Sequence, residues 1–318
     1  MNIIKYINSI NAGSRRVKFA FGACLFMVLT AMALNPLRLE AAFKDPGYLA
    51  RPAGMGGAFT SVSGDISSAW YNPAAVTDIE QAAAIFTYSK PYLSLSEVDI
   101  SMSYASYLLP LSKYGIAGLG YARFDTAGLY QESTLFLTYA YDFKYFSSGF
   151  NLKYLGRAVT TDIRTVDDSV FANGTSRSAV TMDLGFYRDM GQGFGAGLCA
   201  KNLTQPDVGY YINDPVPMEL RGGVSYFFGP EDIDFLVSMD IASRNNEYNA
   251  YLGGEAFFNK RTLGARLGGN KNEVSLGGSY IYRIEKSKFD ISADYSFSWP
   301  FFVEATSGSH RLSLGLKF

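Results

Sequence analysis

The chain has one histidine, His310, and two cysteines, Cys24 and Cys199, among 318 residues. A hydrolytic triad needs an imidazole facing a nucleophile, with a third group to orient it. Nothing in the sequence places a serine and an orienting acid against His310. It falls on the apolar side of the last segment, which suits an interfacial or structural role. The same scarcity excludes a multi-histidine metal site, so no metal and no cofactor is expected. Gly54-Met55-Gly56-Gly57 has the glycine density of a phosphate cradle, but no Lys-Ser/Thr at a helix start follows it. The remaining chemistry is charge. Asp99, Lys153, Asp183, Glu219, Arg221, Asp234, Asp240, Glu255, Arg266, Asp290, Asp294, Arg311 and Lys317 recur on one side of alternating segments, and Arg51 is expected to pair with one of the acids. Mixed signs predict interior ion pairs rather than the single-sign ring of a selective ion pore. No enzyme is expected.

These charges sit in a chain that is 48% hydrophobic and 18% charged, with 23 Tyr, 24 Phe and 32 Gly. Such content excludes disorder. A near-zero net charge of -1 and a pI of about 5.9 exclude a basic nucleic-acid surface. Apart from one N-terminal stretch, no apolar run reaches the roughly 18 residues of a membrane-spanning helix.

That stretch reads as an export signal over residues 1–41. Lys5, Arg15, Arg16 and Lys18 precede an apolar run from Phe19 to Leu34, and small residues follow. Cleavage after Ala33 and cleavage near Ala41 both remain open. The latter leaves 23 basic and 28 acidic side chains, a net charge of −5, and Cys199 as the single cysteine. No disulfide is then expected.

From residue 83 to the end, segments of about ten residues alternate strictly. Phe289, Ile291, Ala293, Tyr295, Phe297 and Trp299 oppose Asp290, Ser292, Asp294, Ser296 and Ser298. About fourteen such segments are predicted, the first at 83–89 and the last at 309–318. The connections alternate between tight turns and a set holding every long loop, including 125–132, 159–176 and 203–216. This parity, with Tyr107, Tyr114, Phe143, Tyr145, Phe227, Phe228, Phe257 and Phe258 beside the tight turns, predicts an all-β fold: a transmembrane antiparallel β-barrel in the bacterial outer membrane. Glycine stretches 115–120, 193–197 and 264–269 either kink strands or make room for something inside. Residues 42–82 break the alternation and are rich in small residues, as expected of a hatch that plugs the barrel 83–318.

Within that hatch, Gly54-Met55-Gly56-Gly57-Ala58-Phe59, then Asp65, then Trp70-Tyr71-Asn72-Pro73-Ala74 resemble the FadL-like outer-membrane proteins, the long-chain fatty-acid transporters and the related PorV/PorQ group. This sequence has Asp65-Ile66-Ser67-Ser68 where the family commonly has Asp-Ala-Ser, and Ala75 where glycine often follows. The resemblance implies a plugged fourteen-strand barrel that passes hydrophobic molecules from its outer loops, through the lumen, to a lateral exit. Gly54, Met55, Gly56, Gly57, Ala58, Asp65, Asn72, Pro73 and Ala74 would form the hatch motif. The capture loops would hold Val170, Phe171, Tyr210, Tyr211 and Ile212. Leu314, Leu316 and Phe318 resemble the terminal signal read by the barrel insertion machinery.

Three functions follow as expectations. The first is passive uptake of a hydrophobic ligand such as a long-chain fatty acid. The second is a PorV-like role in secretion or surface attachment, with secreted proteins as partners. The third is a structural or surface-antigen barrel. Outer-membrane lipid surrounds the barrel in each.

Overall fold

The computed structural model describes residues 42–318 apart from 96–98, 162–165, 173, 231, 285–288 and 304. The export signal expected over 1–41 lies outside the described residues.

Fourteen antiparallel strands form one closed barrel, in which each strand pairs with its neighbours in sequence and β1 closes against β14. They are β1 Ala83–Lys90, β2 Ile100–Pro110, β3 Ile116–Thr126, β4 Tyr130–Asp142, β5 Ser147–Val159, β6 Ser176–Gly191 and β7 Phe194–Lys201. Then follow β8 Glu219–Phe228, β9 Ile233–Arg244, β10 Glu247–Phe258, β11 Leu263–Asn270, β12 Glu273–Ile284, β13 Phe289–Pro300 and β14 Ser309–Lys317. Closure is what lipid demands, because every backbone N–H and C=O needs a partner within the protein. The seam is set by register, with Ala83 opposite Lys317 and Lys90 opposite His310.

The two-residue period does what the sequence predicts. On β14, Leu312, Leu314 and Leu316 point outward while Arg311 and Ser313 are buried. On β6, Val180 and Met182 face lipid and Thr181 and Asp183 face the lumen. The longest connections, 91–99, 160–175, 202–218 and 301–308, lie at one end, the outer end by the rule for bacterial barrels. Three outer connections are shorter than expected: 127–129, 245–246 and 271–272. The loop expected at 125–132 is a tight turn, because Glu132 is a buried, lumen-facing strand residue. A carboxylate that would break a sheet facing an apolar core is at home on the wet side of a barrel.

Two of the aromatics beside the tight turns belong to the lumen side: Phe227, which lines a recess at the periplasmic end, and Phe257, the one that is buried. Phe257 is buried in the lumen, under Arg261 at 4.5 Å, Arg51 at 5.5 Å and Arg266 at 5.7 Å. Two adjacent aromatics cannot share one face of a strand, and Phe258 takes the lipid side. Asp99 also departs from expectation. It is exposed at the rim and pairs with Lys90 rather than facing the lumen.

Residues 42–82 run down the lumen from the outer mouth to the start of β1. They include two short helices, α1 Ala50–Gly54 and α2 Ser68–Tyr71, and a 3-10 turn at Pro73–Val76. On one side this plug meets an apolar wall from β2 to β4. Trp70 stands edge-on to Tyr48 at 5.3 Å and to Tyr104 at 5.8 Å, with Phe136 at 5.6 Å. On the other side the wall is charged.

Candidate functional site

The hatch motif lies where plug backbone touches strand backbone. Gly56 has φ +62°, and a Cβ there would come within 2.1 Å of the Gly269 nitrogen on β11. Only glycine permits both the left-handed conformation and the approach. Met55 is fully buried between Gly253 and Gly268. Ala58 is also fully buried. Gly57 lends its carbonyl to Arg221 of β8, and Arg221 pairs with Asp240 of β9 at 2.9 Å. The same Asp240 carboxylate accepts from the Phe59 and Thr60 amides at 2.9 and 3.0 Å and from the Thr60 hydroxyl at 2.7 Å.

Asp65 accepts from the Ser67 amide at 2.7 Å and pairs with Arg51 at 2.6 Å. Burial opposes its charge, but Arg51, Lys317 and the Ser67 donors together hold its carboxyl well below the usual carboxylate range. Arg51 continues to Glu255 at 2.5 Å, Glu255 to Arg266, and Arg266 to Asp294 at 2.9 Å. The ion pair expected of Arg51 is therefore present, as one link of a buried chain across β10, β11 and β13.

Asn72 ties the lower part of the plug. Its amide donates to the Thr60 carbonyl at 2.9 Å and to the Phe186 carbonyl of β6 at 3.0 Å, while its oxygen accepts from the Ala74 amide at 3.1 Å. Pro73, in the first turn, has no N–H to satisfy there. Pro73 and Ala74 lie against Gly149 of β5, where a Cβ would meet the Pro73 carbonyl at 2.7 Å. Of the glycine stretches, 193–197 and 264–269 seat the plug, through Gly197 against Thr60 and Gly268 against Met55, whereas Gly118 and Gly120 make room for the Leu108 and Phe136 side chains. β2 and β3 stay paired through Gly118 and Gly120, and β11 stays paired through Gly264 and Gly268. All fourteen strand interfaces are paired, with one register shift at Asp189/Gly191.

Above the plug opens a vestibule of about 730 Å³. Its wall carries Glu219, Arg221, Arg244, Glu247, Glu273 and Arg311, the asparagines 245, 246, 249, 270 and 272, and Tyr92 and Tyr251. Gly57 is in its floor. Ser61 lines a separate recess of about 280 Å³ on the periplasmic side. Between the two, Ala58, Phe59 and Thr60 are 0% exposed, so the plug packs closely against the wall at this level.

The residues expected to capture a ligand divide. Phe171 packs edge-on against Tyr210 at 5.5 Å, and Arg157 lies over Tyr210 at 5.2 Å, so these loops brace each other. Tyr211 and Ile212 are 72% and 77% exposed and Val170 is partly exposed; they form no pocket with the vestibule. At the C-terminus, Leu314, Leu316 and Phe318 face outward, and the Phe318 ring stacks beside Tyr107 and Phe289. Sequence reasoning missed Glu132 and Arg244, which hold the start of the plug. Their charge was the signal, once both are read as strand residues facing a wet lumen.

A family model described as type IX secretion system membrane protein PorP/SprF matches residues 67–316. The chain belongs to the PorP/SprF family. The match begins inside the plug, at residue 67, and runs to β14. Among solved structures, the toluene transporter TbuX of Ralstonia pickettii is similar at 11% identity and a TM-score of 0.58, over 87% of this chain and 99% of that one. The Pseudomonas putida toluene transporter TodX is similar at 11% identity and a TM-score of 0.56, again over 87% and 99%. A Pseudomonas aeruginosa FadL homologue gives 11% and 0.55 over 86% and 98%. At this identity the likeness is one of fold. No curated protein matches the sequence. The protein is an outer-membrane barrel of the PorP/SprF family with a FadL-type fold.

Proposed function

We propose that this barrel serves a type IX secretion apparatus, holding or handing over a secreted polypeptide at the cell surface. The observation that carries this reading is the chemistry of the vestibule. Carboxylates, guanidinium groups and amides around a closely packed floor suit a polypeptide, which brings charges and main-chain hydrogen bonds. They suit a fatty acid less well, because an aliphatic chain cannot satisfy those charged and amide groups once it displaces their water. Membership in a family described as secretion-system membrane proteins supports the same reading. The lipid-facing surface needs only bilayer around it.

Uptake of hydrophobic compounds is the competing reading. Its support is the fold likeness to toluene transporters and the apolar wall of β2 to β4. That wall is filled by Tyr48 and Trp70, and every strand interface is paired, so neither an apolar conduit nor a sideways exit supports it.

The two separate in a strain lacking the chain. Secreted proteins should then fail to reach the surface, as read by protease accessibility on intact cells, while labelled oleate enters at the normal rate. Normal surface display with impaired oleate entry would reverse the order of the two readings.

A further inference from the structure

The leading segment of the plug differs from the rest. Residues 42–47 are each only half-buried, whereas Tyr48, Leu49 and Ala50 are buried. They form neither helix nor strand, and Lys44, Asp45, Pro46 and Gly47 make one wall of the vestibule without filling it.

The barrel grips this segment through its main chain. Arg244 donates to the carbonyls of Ala42 at 2.8 Å and Phe43 at 3.1 Å. Glu132 accepts from the Phe43 amide at 3.0 and 3.1 Å. Arg311 donates to the carbonyls of Gly47 at 2.5 Å and Pro46 at 3.3 Å. These three wall residues are themselves at least nine-tenths buried. One side chain is recognised as well: Phe43 packs on the buried cluster of Leu155, Val208 and Val216. Charged groups aimed at peptide carbonyls and amides, beside one apolar socket, recognise a non-helical peptide main chain and one apolar side chain.

We propose that this wall is a binding cleft for a peptide with one apolar anchor residue, and that residues 42–47, bent at Phe43 with φ +58°, occupy it as a tethered stand-in. A segment of a secreted polypeptide entering the vestibule exchanges with them, placing its apolar side chain on Leu155, Val208 and Val216 and its carbonyls on Arg244 and Arg311. The source of the peptide rests on the secretion reading; the cleft does not.

The test uses the fluorescent pentapeptide Ala-Phe-Lys-Asp-Pro, the sequence of residues 42–46, added to purified protein in detergent. A tethered segment competes at an effective concentration on the order of millimolar. The peptide should therefore bind a variant lacking residues 42–46 at least about tenfold more tightly than the intact chain. Phe43→Gly in the full-length chain, which loosens the stand-in without shortening it, should fall between. Arg244→Ala with Arg311→Ala should weaken binding to the shortened variant by about tenfold or more, given the strength of charge-assisted bonds. A peptide with glycine in place of its phenylalanine should not bind. Equal affinity for intact and loosened chains overturns the cleft, as does absence of binding to a Phe43→Gly chain that still migrates as a folded, heat-modifiable barrel. If secretion fails in the deletion strain yet no peptide binds, the cleft alone is lost. If the peptide binds yet secretion is normal without the chain, the cleft stands and the secretion reading falls.

Discussion

Arg51 of the plug and Glu255 of β10 form a two-point ion pair, with Nη2 to Oε2 at 2.5 Å and Nε to Oε1 at 3.0 Å. It is the central link between the plug and the charged half of the wall, with Glu255 buried at 1% exposure and Arg51 mostly buried at 13%. Removing one partner of such a pair strands the other charge away from water.

Arg51→Ala should therefore lower stability by about 3–5 kcal/mol. The denaturant midpoint of the detergent-solubilised barrel measures this. Arg51→Lys should recover only part of the loss, because an ammonium cannot bridge Asp65 and Glu255 in two-point fashion.

Acid should test the same link through Asp65. Its folded-state pKa is depressed, so its contribution is fully present above the ordinary carboxylate value and fades as pH falls through the lower folded value. Wild type should then lose stability below about pH 4. Asp65→Asn should be weaker at neutral pH and show a shallower acid decline, as read from midpoints between pH 3 and 7.

Backbone contact makes a sharper prediction. A Cβ on Gly268 would come within 2.1 Å of Met55 main-chain atoms, whereas one on Gly278 meets nothing closer than 3.5 Å. Gly268→Ala should displace the upper plug and raise single-channel conductance in planar bilayers. Gly278→Ala should behave as wild type. Equal conductance in the two would show that the plug does not seal against β11.

Asn72→Ala removes three hydrogen bonds at a site that is 0% exposed. Each buried group left unmatched costs about 1–3 kcal/mol. A lowered denaturant midpoint and faster proteolysis near residue 72 should accompany the substitution. Unchanged values would place the plug's hold elsewhere.

Phe318→Ala should reduce the heat-modifiable, assembled fraction in cells more than it lowers the midpoint of protein already folded. The ring stacks beside Tyr107 and Phe289 at the lipid-facing rim and is 50% exposed, so its packing contribution is small. An equal effect on both measurements would make it an ordinary packing residue rather than an assembly signal.

Much of the barrel was legible because side-chain period and environment coincide: Leu312, Leu314 and Leu316 must face one way once β14 is a strand. The ends of strands were harder. Glu132 and Arg244 look like loop residues until the lumen is known to be wet, and Phe257 looks like a girdle residue until Arg261 and Arg51 are found above it. The hatch motif was visible as a run of small residues, but its partners were not. Gly149, Gly185 and Gly268 lie far along the chain, and nothing local to Pro73, Asn72 or Met55 indicates which strand each will meet.

Helix α1, near the start of the plug, rests on β11, β12, β13 and β14, which lie more than 200 residues further along the chain. Such high contact order delays native pairing until synthesis and export are complete. Until then the outward rows of leucine, phenylalanine and tyrosine are open to self-association. Periplasmic holding factors must therefore guard this chain longer than one whose early segments find early partners, and its dependence on them should exceed that of a barrel whose lumen is filled by its own neighbouring loops.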